Sequence, residues 1–363
     1  MLAIDVRMIR CAGIGTYLRQ LVPRVVAALP PYPISLIGDT AHLRTLGWVT
    51  DESYTLVECR APIYSIREQV ELPCKIPRQT TLLWSPHYNI PLCYSGRLVV
   101  TIHDTFHLAM PQFVPGWHRR AYARLMFRAV RRKACEIFCV SQFGKRQLMA
   151  FCPQGTQPVT VTPNGVDESW AQFPKEPRSH ERPYILFVGN LKPHKNLVRL
   201  LEAVELIRQR IPHDLVIVGR SEGFITGDHQ VRARAAKLGD RVRFVDELDH
   251  DDLLLRRYYA CADLLVLPSL YESFGLPALE AMACGCPVVL SKVGGMPEVY
   301  GDAAAYCDPL DSQDMADQIL RVLTNRELRA ELIERGLRCA HRLNWEETAT
   351  KISTSIKYLL AMP

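Results

Sequence analysis

The chain has 363 residues, of which 48% are hydrophobic and 23% charged, and its net charge is +6. These values are typical of a soluble globular protein with two domains that each bury a core. No apolar run approaches the roughly 18 residues needed to span a bilayer, which argues against a membrane-spanning protein. The N-terminus lacks a signal-peptide pattern, so we expect a cytoplasmic protein whose scattered cysteines are reduced.

The first half alternates strand-like and helix-like patterns. Strands are predicted at 2–6, 34–37, 82–84, 98–102, 137–141 and 159–161. The turn before the first helix carries Gly13 and Gly15, and glycines there allow a phosphate to approach the backbone. Residues 39–80 follow neither pattern and receive no assignment.

Two polar residues end strands of this half. His103 follows strand 98–102, and Ser141 ends strand 137–141, with a helix beginning near Gln142. The carboxyl ends of parallel strands line the ligand crevice of such sheets, so His103 is a candidate for a site. The alternative for His103 is a structural histidine held by hydrogen bonds.

Residues 117–133 contain seven basic residues and no acid. They predict one helix with an apolar stripe. The stripe comprises Tyr122, Leu125, Met126, Ala129 and Val130. Its basic face is either solvated or binds an anionic membrane surface. Nucleic acid is not expected as a partner, because no binding motif accompanies the charge.

The second half alternates more regularly. Strands are predicted at 184–188, 215–218, 242–245, 264–267, 287–290 and 304–307. Helices are predicted at 197–211, 230–238, 251–261, 276–284, 314–323, 326–343 and 345–360. This alternation indicates an α/β protein with parallel, doubly wound sheets. Residues 168–183 have linker composition, and the segment 249–252 reads as a helix start and not as a metal-binding acid pair.

The loop after strand 184–188 is basic. Asn196 is predicted to cap the following helix, and Lys195 lies just before it. The lysine charge and the helix dipole together favour a bound diphosphate. The alternative is that Lys195 is a solvated surface lysine.

The stretch 264–301 contains two glutamates separated by seven residues. Glu272 follows a buried strand, and Glu280 lies inside the helix that the intervening turn opens. Hydrogen-bond acceptors on either side of a helix N-terminus suit a sugar nucleotide. The alternative is that both glutamates are solvated.

The segment Glu272 to Glu280, with Gly285-Cys286-Pro287-Val288-Val289 and Gly294-Gly295-Met296-Pro297-Glu298, resembles the motifs of glycosyltransferase family 4, a family of retaining enzymes. The resemblance implies a GT-B fold, with Rossmann-like domains at 1–167 and 168–344 and a C-terminal helix, 345–363, that packs back on the first domain.

The resemblance also implies residue roles. Lys195 and Lys192 would hold the donor diphosphate, Glu272 the sugar hydroxyls and Glu280 the ribose, and His103 would lie beside the reacting carbon. Asn190 stands where the family has an arginine, which leaves open which lysine dominates. The implied substrate-binding residues also include Gly13, Gly15, Ser141, Asn190, Phe274, Gly275 and Leu276.

The implied reaction moves a hexose from a nucleotide diphosphate sugar to a saccharide acceptor, without metal or cofactor. The sequence is similar to bacterial polysaccharide mannosyltransferases that use GDP-mannose, and a polyprenyl-diphosphate-linked acceptor would suit the basic helix. A sugar-nucleotide epimerase and a non-catalytic sugar-binding protein are the alternatives.

Overall fold

A computed structural model describes residues 1–50, 52–170, 182–219, 230–245 and 252–362. The chain divides into two compact units. The first unit comprises Met1–Pro111, Gly116–Asn164 and Trp345–Pro363, and the second comprises Gln112–Pro115 and Gly165–Asn344.

The first unit is built on a seven-stranded parallel sheet. Its strands are β1 (Leu2–Asp5), β2 (Ile34–Gly38), β3 (Thr55–Glu58), β4 (Leu82–Ser85), β5 (Arg97–Ile102), β6 (Glu136–Cys139) and β7 (Val159–Val161). The strand order is β3-β2-β1-β4-β5-β6-β7, so the order reverses between β1 and β4. Most strand residues are buried, as expected for a parallel sheet covered on both faces.

The helices of this unit are α1 (Ile14–Ala28), α2 (Thr40–Leu43), α3 (Ile66–Lys75), α4 (Phe106–Ala109), α5 (Trp117–Lys133), α6 (Gln142–Phe151) and α14 (Trp345–Ala361). Helix α14 packs on α1, where Trp345 contacts Tyr17 edge-on with ring centroids 6.1 Å apart. Arg24 Nε also donates to Glu346 Oε1 over 2.7 Å. The last helix of the chain is therefore part of the first unit.

The second unit is built on a six-stranded parallel sheet. Its strands are β8 (Tyr184–Val188), β9 (Asp214–Val218), β10 (Val242–Val245), β11 (Leu264–Leu267), β12 (Val288–Ser291) and β13 (Ala305–Cys307). The order is β10-β9-β8-β11-β12-β13, with the reversal between β8 and β11. The helices are α7 (Leu197–Ile207), α8 (Gln230–Leu238), α9 (Asp252–Cys261), α10 (Leu276–Ala283), α11 (Met296–Tyr300), α12 (Ser312–Thr324) and α13 (Arg326–Arg342).

The predicted strands and helices are present, with ends that differ by a few residues. Residues 39–80, left unassigned from the sequence, form α2, β3 and α3. The predicted linker falls largely on 171–181, and the predicted helix start at 249–252 falls largely on 249–251. Both ranges lie outside the described residues. All twelve cysteines are free, and most are buried. Among the described helices, none has the length and apolar content needed to cross a membrane.

Candidate active site

The carboxyl ends of β8 and β11 meet where the strand order of the second sheet reverses. Ligands of open α/β sheets bind at this position, because the loops from the two neighbouring strands diverge there. The loop after β8 carries Asn190, Lys192 and Lys195, and the loop after β11 carries Glu272. The predicted basic and acidic residues of the second unit therefore lie at one edge of one sheet.

Lys195 and Glu272, 77 residues apart in the chain, form an ion pair. Lys195 Nζ donates to Glu272 Oε1, and their side chains are 23% and 16% exposed. Ser269 Oγ donates to the same carboxylate oxygen over 3.2 Å. The structure thus brings together the two residues that the sequence places in a donor site. Neither of them is a solvated surface residue.

Asn196 joins the loops that carry this pair. It adopts a left-handed backbone conformation (φ 62°) and makes no side-chain cap to α7, so its predicted capping role is wrong. Instead its Nδ2 donates to the carbonyls of Pro268 and Pro309, at 2.9 and 2.7 Å. The buried amide is satisfied by two carbonyls from other loops, and this positions Lys195 towards Glu272.

The paired glycines after β12 hold the backbone of Glu272. Gly295 N–H donates to the Glu272 carbonyl over 2.8 Å. A Cβ at Gly294, where φ is 68°, would lie 2.1 Å from the same carbonyl oxygen, so only glycine fits there. The Gly-Gly segment quoted from the sequence therefore acts on Glu272 through the backbone.

Glu280 lies in α10 and is 8% exposed. Tyr259 donates its hydroxyl to Glu280 Oε2 over 2.7 Å, and burial raises the pKa of Tyr259 well above its usual range. The alternative of a solvated helix acid is wrong for this residue. Burying a carboxylate costs free energy unless it is hydrogen-bonded, and the Tyr259 hydroxyl supplies such a bond. A buried carboxylate held in one orientation is consistent with a ligand-binding role.

Three further predicted residues lead into α10. Phe274 is buried against Tyr300, with ring centroids 6.0 Å apart, and Tyr300 donates its hydroxyl to the Gly275 carbonyl over 2.9 Å. Gly275 has a left-handed conformation (φ 81°), and Leu276 is the first helical residue. These contacts fix where the N-terminus of α10 points.

In the first unit, His103 follows β5 and is partly buried. Its Nε2–H donates to the Pro86 carbonyl over 2.9 Å, and Tyr17 contacts the ring edge-on at a centroid distance of 4.7 Å. Burial lowers the pKa of His103 to about 4. His103 is therefore neutral near pH 7, and the Nε2 hydrogen bond leaves Nδ1 as the ring atom that carries a lone pair.

The remaining predicted residues of the first unit have local backbone roles. Gly13 precedes α1 with φ 52°, and a Cβ at Gly15 would lie 2.5 Å from the Ile9 carbonyl oxygen. Ser141 caps α6 by accepting from Gly144 N–H over 3.0 Å. Their predicted substrate contacts are neither required nor opposed by this geometry.

The basic helix α5 is rotated relative to the predicted stripe. It buries Ala123, Met126, Phe127, Val130 and Arg131. Leu125, placed in the stripe from the sequence, is 53% exposed, because the 3.6-residue period passes through 123, 126, 127 and 130. Arg131 is structural: its guanidinium donates to the carbonyls of Cys152, Gly155 and Gln157.

The exposed basic residues of α5 form a stripe of Arg120, Arg124, Arg128 and Arg132, each four residues apart. Arg124, Arg128 and Arg132 also line a surface depression of about 500 Å³ together with Leu125. Lys133 also lines this depression but is only partly exposed, and its Nζ donates to the Leu92 carbonyl over 2.5 Å. Four of the seven basic residues therefore face solvent on one side.

Sequence reasoning missed a polar network at the carboxyl edge of the first sheet. Arg7 pairs with Asp5 and Glu68, each at 2.7 Å, and all three side chains are less than 10% exposed. Glu68 also accepts from Asn89 Nδ2, and Asn89 Oδ1 accepts from the Tyr122 hydroxyl. The available signal was limited to Asp5 at the end of β1, Arg7 just after it and Asn89 in the loop after β4. No group of three or more metal-binding side chains occurs within the described ranges.

Two family models match the chain in succession. "Glycosyltransferase Family 4" matches residues 80–170, and "Glycosyl transferases group 1" matches residues 168–338. O-antigen chain mannosyltransferase B of Escherichia coli is 27% identical over 385 aligned residues, which cover 96% of each chain. A glycogen synthase of Mycobacterium tuberculosis is 31% identical over 288 residues, which cover 77% of this chain and 67% of the relative.

Solved structures show the same fold. Sucrose-phosphate synthase from Thermosynechococcus elongatus superposes with a TM-score of 0.78 at 22% identity, covering 99% of each chain. The names of these three proteins refer to different sugar products, so the similarity by itself leaves the transferred sugar open.

Proposed function

We propose that this chain, which belongs to the glycosyltransferases of the group 1 and family 4 models, transfers a hexose from a nucleotide diphosphate sugar to a saccharide acceptor with retention of configuration. The predicted fold, two Rossmann-like domains of the GT-B type, is confirmed by both sheets and by the structural neighbour. The observation that carries the proposal is the Lys195–Glu272 pair at the strand-order reversal of the second sheet.

The pair supplies the two recognition elements that a nucleotide sugar requires. When the donor binds, the Lys195 ammonium would break its contact with Glu272 and bind the diphosphate. Glu272 would then accept hydrogen bonds from the sugar hydroxyls. Lys192 and Asn190 belong to the same loop, and the N-terminus of α10 adds the positive end of a helix dipole. Glu280, oriented by Tyr259, would accept from the ribose hydroxyls.

The difficult part of the reaction is the departure of the diphosphate. Negative charge builds on its oxygens as the bond to the sugar breaks, and preorganised positive groups stabilise that charge without reorganising. We assign this role to Lys195 and Lys192, and no metal enters the proposed mechanism. We assign His103 the role that the family resemblance implies, beside the reacting carbon. As a neutral imidazole it carries no repelling charge, and its Nδ1 lone pair would accept a hydrogen bond from a sugar hydroxyl.

We propose GDP-mannose as the donor and mannose as the transferred sugar, because the similarity to the E. coli mannosyltransferase extends over 96% of this chain. The test is incubation with GDP-mannose, UDP-glucose and ADP-glucose, followed by chromatography of the nucleotides. The proposal predicts release of GDP with GDP-mannose. An epimerised donor would indicate a sugar-nucleotide epimerase, and no turnover of any donor would indicate a binding protein.

We also propose that α5 binds an anionic membrane surface, which would suit a lipid-linked acceptor. Support comes from the exposed stripe Arg120, Arg124, Arg128 and Arg132. Each basic residue near an anionic surface contributes roughly 1 kcal/mol, and the attraction fades beyond about 8 Å at physiological salt. Exposed Trp117 and Leu125 add apolar groups on the same helix.

Liposome flotation tests this second proposal. Replacing Arg120, Arg124 and Arg128 by Gln should weaken binding to phosphatidylserine-containing vesicles about a hundredfold, since three contributions of roughly 1 kcal/mol are lost. The matched control replaces exposed arginines of α12 and α13 by Gln, at Arg321, Arg326 and Arg338. Wild-type protein that fails to float at low salt, or a control triple that behaves like the α5 triple, would contradict the proposal.

A further inference from the structure

Tyr64 is oriented the opposite way from an ordinary surface tyrosine. Its hydroxyl is 3.1 Å from His87 Nε2, in the interior of the first unit, whereas the residue as a whole is 46% exposed. Burial of the hydroxyl raises the pKa of Tyr64 above its usual range. Tyrosines at surfaces usually place the hydroxyl in water and the ring against the protein. Here the hydroxyl is anchored and the ring also contacts Tyr88 and Tyr122, yet the residue keeps 46% of its surface exposed.

The backbone of Tyr64 is held in an uncommon conformation. Its φ is +66°, in the left-handed region that bulky residues rarely adopt. Tyr64 N–H donates to Glu68 Oε2 over 2.9 Å, and Glu68 is fully buried and paired with Arg7 at 2.7 Å. Such conformations persist only where surrounding contacts enforce them, and they concentrate at ligand-binding sites. The missed polar network thus fixes the position of this one ring.

The Tyr64 ring lies beside the carboxyl ends of the strands of the first sheet. Its centroid is 5.6 Å from that of His87 and 5.8 Å from that of His107. His87 directly follows Pro86, whose carbonyl accepts from His103, so Tyr64 and His103 border the same strand ends. The strand order reverses here between β1 and β4, which is where sheets of this kind bind ligands.

We propose that Tyr64 is a stacking platform for a pyranose ring of the saccharide acceptor, with His107 and Asp104 beside it as partners for the sugar hydroxyls. A pyranose presents C–H bonds on one face and hydroxyls around its rim, which suits a partly exposed aromatic residue bordered by polar side chains. Both polar residues are partly exposed and follow β5, Asp104 in the loop after the strand and His107 within α4. The inference rests on the proposed transfer reaction and adds where the first unit binds the acceptor.

The experiment compares Tyr64→Ala with Tyr64→Phe in the full chain. The probes are octyl α-D-mannopyranoside, octyl α-D-glucopyranoside and octyl β-D-galactopyranoside as acceptors, with GDP-mannose as donor. Tyr64→Ala should raise the KM for the glycoside that the wild type uses about tenfold, with little change in kcat, because stacking is lost while the reacting groups remain. Tyr64→Phe keeps the stacking ring and should stay within about threefold of wild type. The matched control is Tyr358→Ala, at an exposed tyrosine of α14, which should change nothing.

Donor hydrolysis without acceptor separates this inference from the proposed function. It should be equal in wild type and Tyr64→Ala, and its absence in wild type would count against the transfer reaction itself. An unchanged acceptor KM in Tyr64→Ala would overturn the inference, as would an equal rise in donor and acceptor KM, or wild-type protein that hydrolyses donor but uses none of the glycosides. Thermal unfolding of each variant identifies a loss that comes only from misfolding.

Discussion

The Lys195–Glu272 pair allows structural and functional roles to be measured separately. We consider Lys195→Met, Glu272→Gln and the double variant, which keep side-chain size while removing charge. The two side chains are 23% and 16% exposed, so the pair lies between an exposed ion pair, worth about 0–1 kcal/mol, and a fully buried one, whose disruption costs about 3–5 kcal/mol. We therefore expect each single variant to lose about 1–2 kcal/mol of unfolding free energy.

The double variant should regain part of that stability, because it leaves no unpaired charge. Donor binding should behave differently. Hydrogen bonds to charged groups contribute about 1.5–3 kcal/mol, so Lys195→Met should weaken donor binding roughly 10- to 150-fold. The double variant should bind donor no better than Lys195→Met, because the proposed complex uses both side chains against the ligand and not against each other.

The assays are urea unfolding for stability and calorimetric titration with GDP-mannose for donor binding. Transfer rates of the purified single variants complete the set, and both should lose most of their activity while remaining folded. The reasoning is refuted if either single variant binds and transfers donor like the wild type. It is also refuted if the double variant restores donor binding along with stability, because the pair would then be structural only.

Three further predictions concern metal dependence, pH and a buried arginine. Activity should survive EDTA, because lysines and helix N-termini meet the phosphate charge; loss on chelation with recovery on adding magnesium or manganese would reveal a missed metal site. Because the folded-state pKa of His103, about 4, lies below the unfolded value of about 6.5, the unfolded chain binds more protons between these values. Unfolding free energy should therefore fall as the pH drops from 6.5 to 4, by up to about 3 kcal/mol from this residue, and urea titrations of His103→Gln should show a shallower fall. Arg131→Gln should lose about 2–4 kcal/mol because three carbonyls lose a charged donor, whereas Arg128→Gln on the exposed stripe should stay within about 0.5 kcal/mol; equal effects in thermal unfolding would contradict the different roles assigned to them.

The parallel sheets were predictable because buried parallel strands are short apolar runs, and these runs alternate with helical periods throughout the second half. The elements within residues 39–80 were not predictable, because their own sequences lack the usual patterns. Strand β3 lies at a sheet edge and is only partly buried, and α3 contains Pro73 and few apolar residues. Neither element therefore carries the apolar periodicity that sequence analysis detects.

The candidate site was predictable in the second unit because each group of its motif residues follows a recognisable strand, β8 or β11. The contacts that position these residues were not predictable from the sequence. Asn196 reads as a helix cap, but its amide is used by carbonyls 72 and 113 residues away. The pair Arg7–Glu68 spans 61 residues, so the network beneath Tyr64 has no local pattern. The rotation of α5 exposes Leu125 and buries Arg131, which hydrophobicity alone assigns the opposite way.

The most direct test of the central claim is the anomeric configuration of the transferred sugar. The full chain is incubated with GDP-mannose and octyl α-D-mannopyranoside, and NMR follows the anomeric signals of donor and product. A retaining transferase that uses this donor produces GDP together with a new α-linked mannoside, since GDP-mannose is itself α-configured. A β-linked product would contradict retention, and mannose donor that is epimerised or left intact while no glycoside forms would contradict the assignment of this chain as a mannosyltransferase.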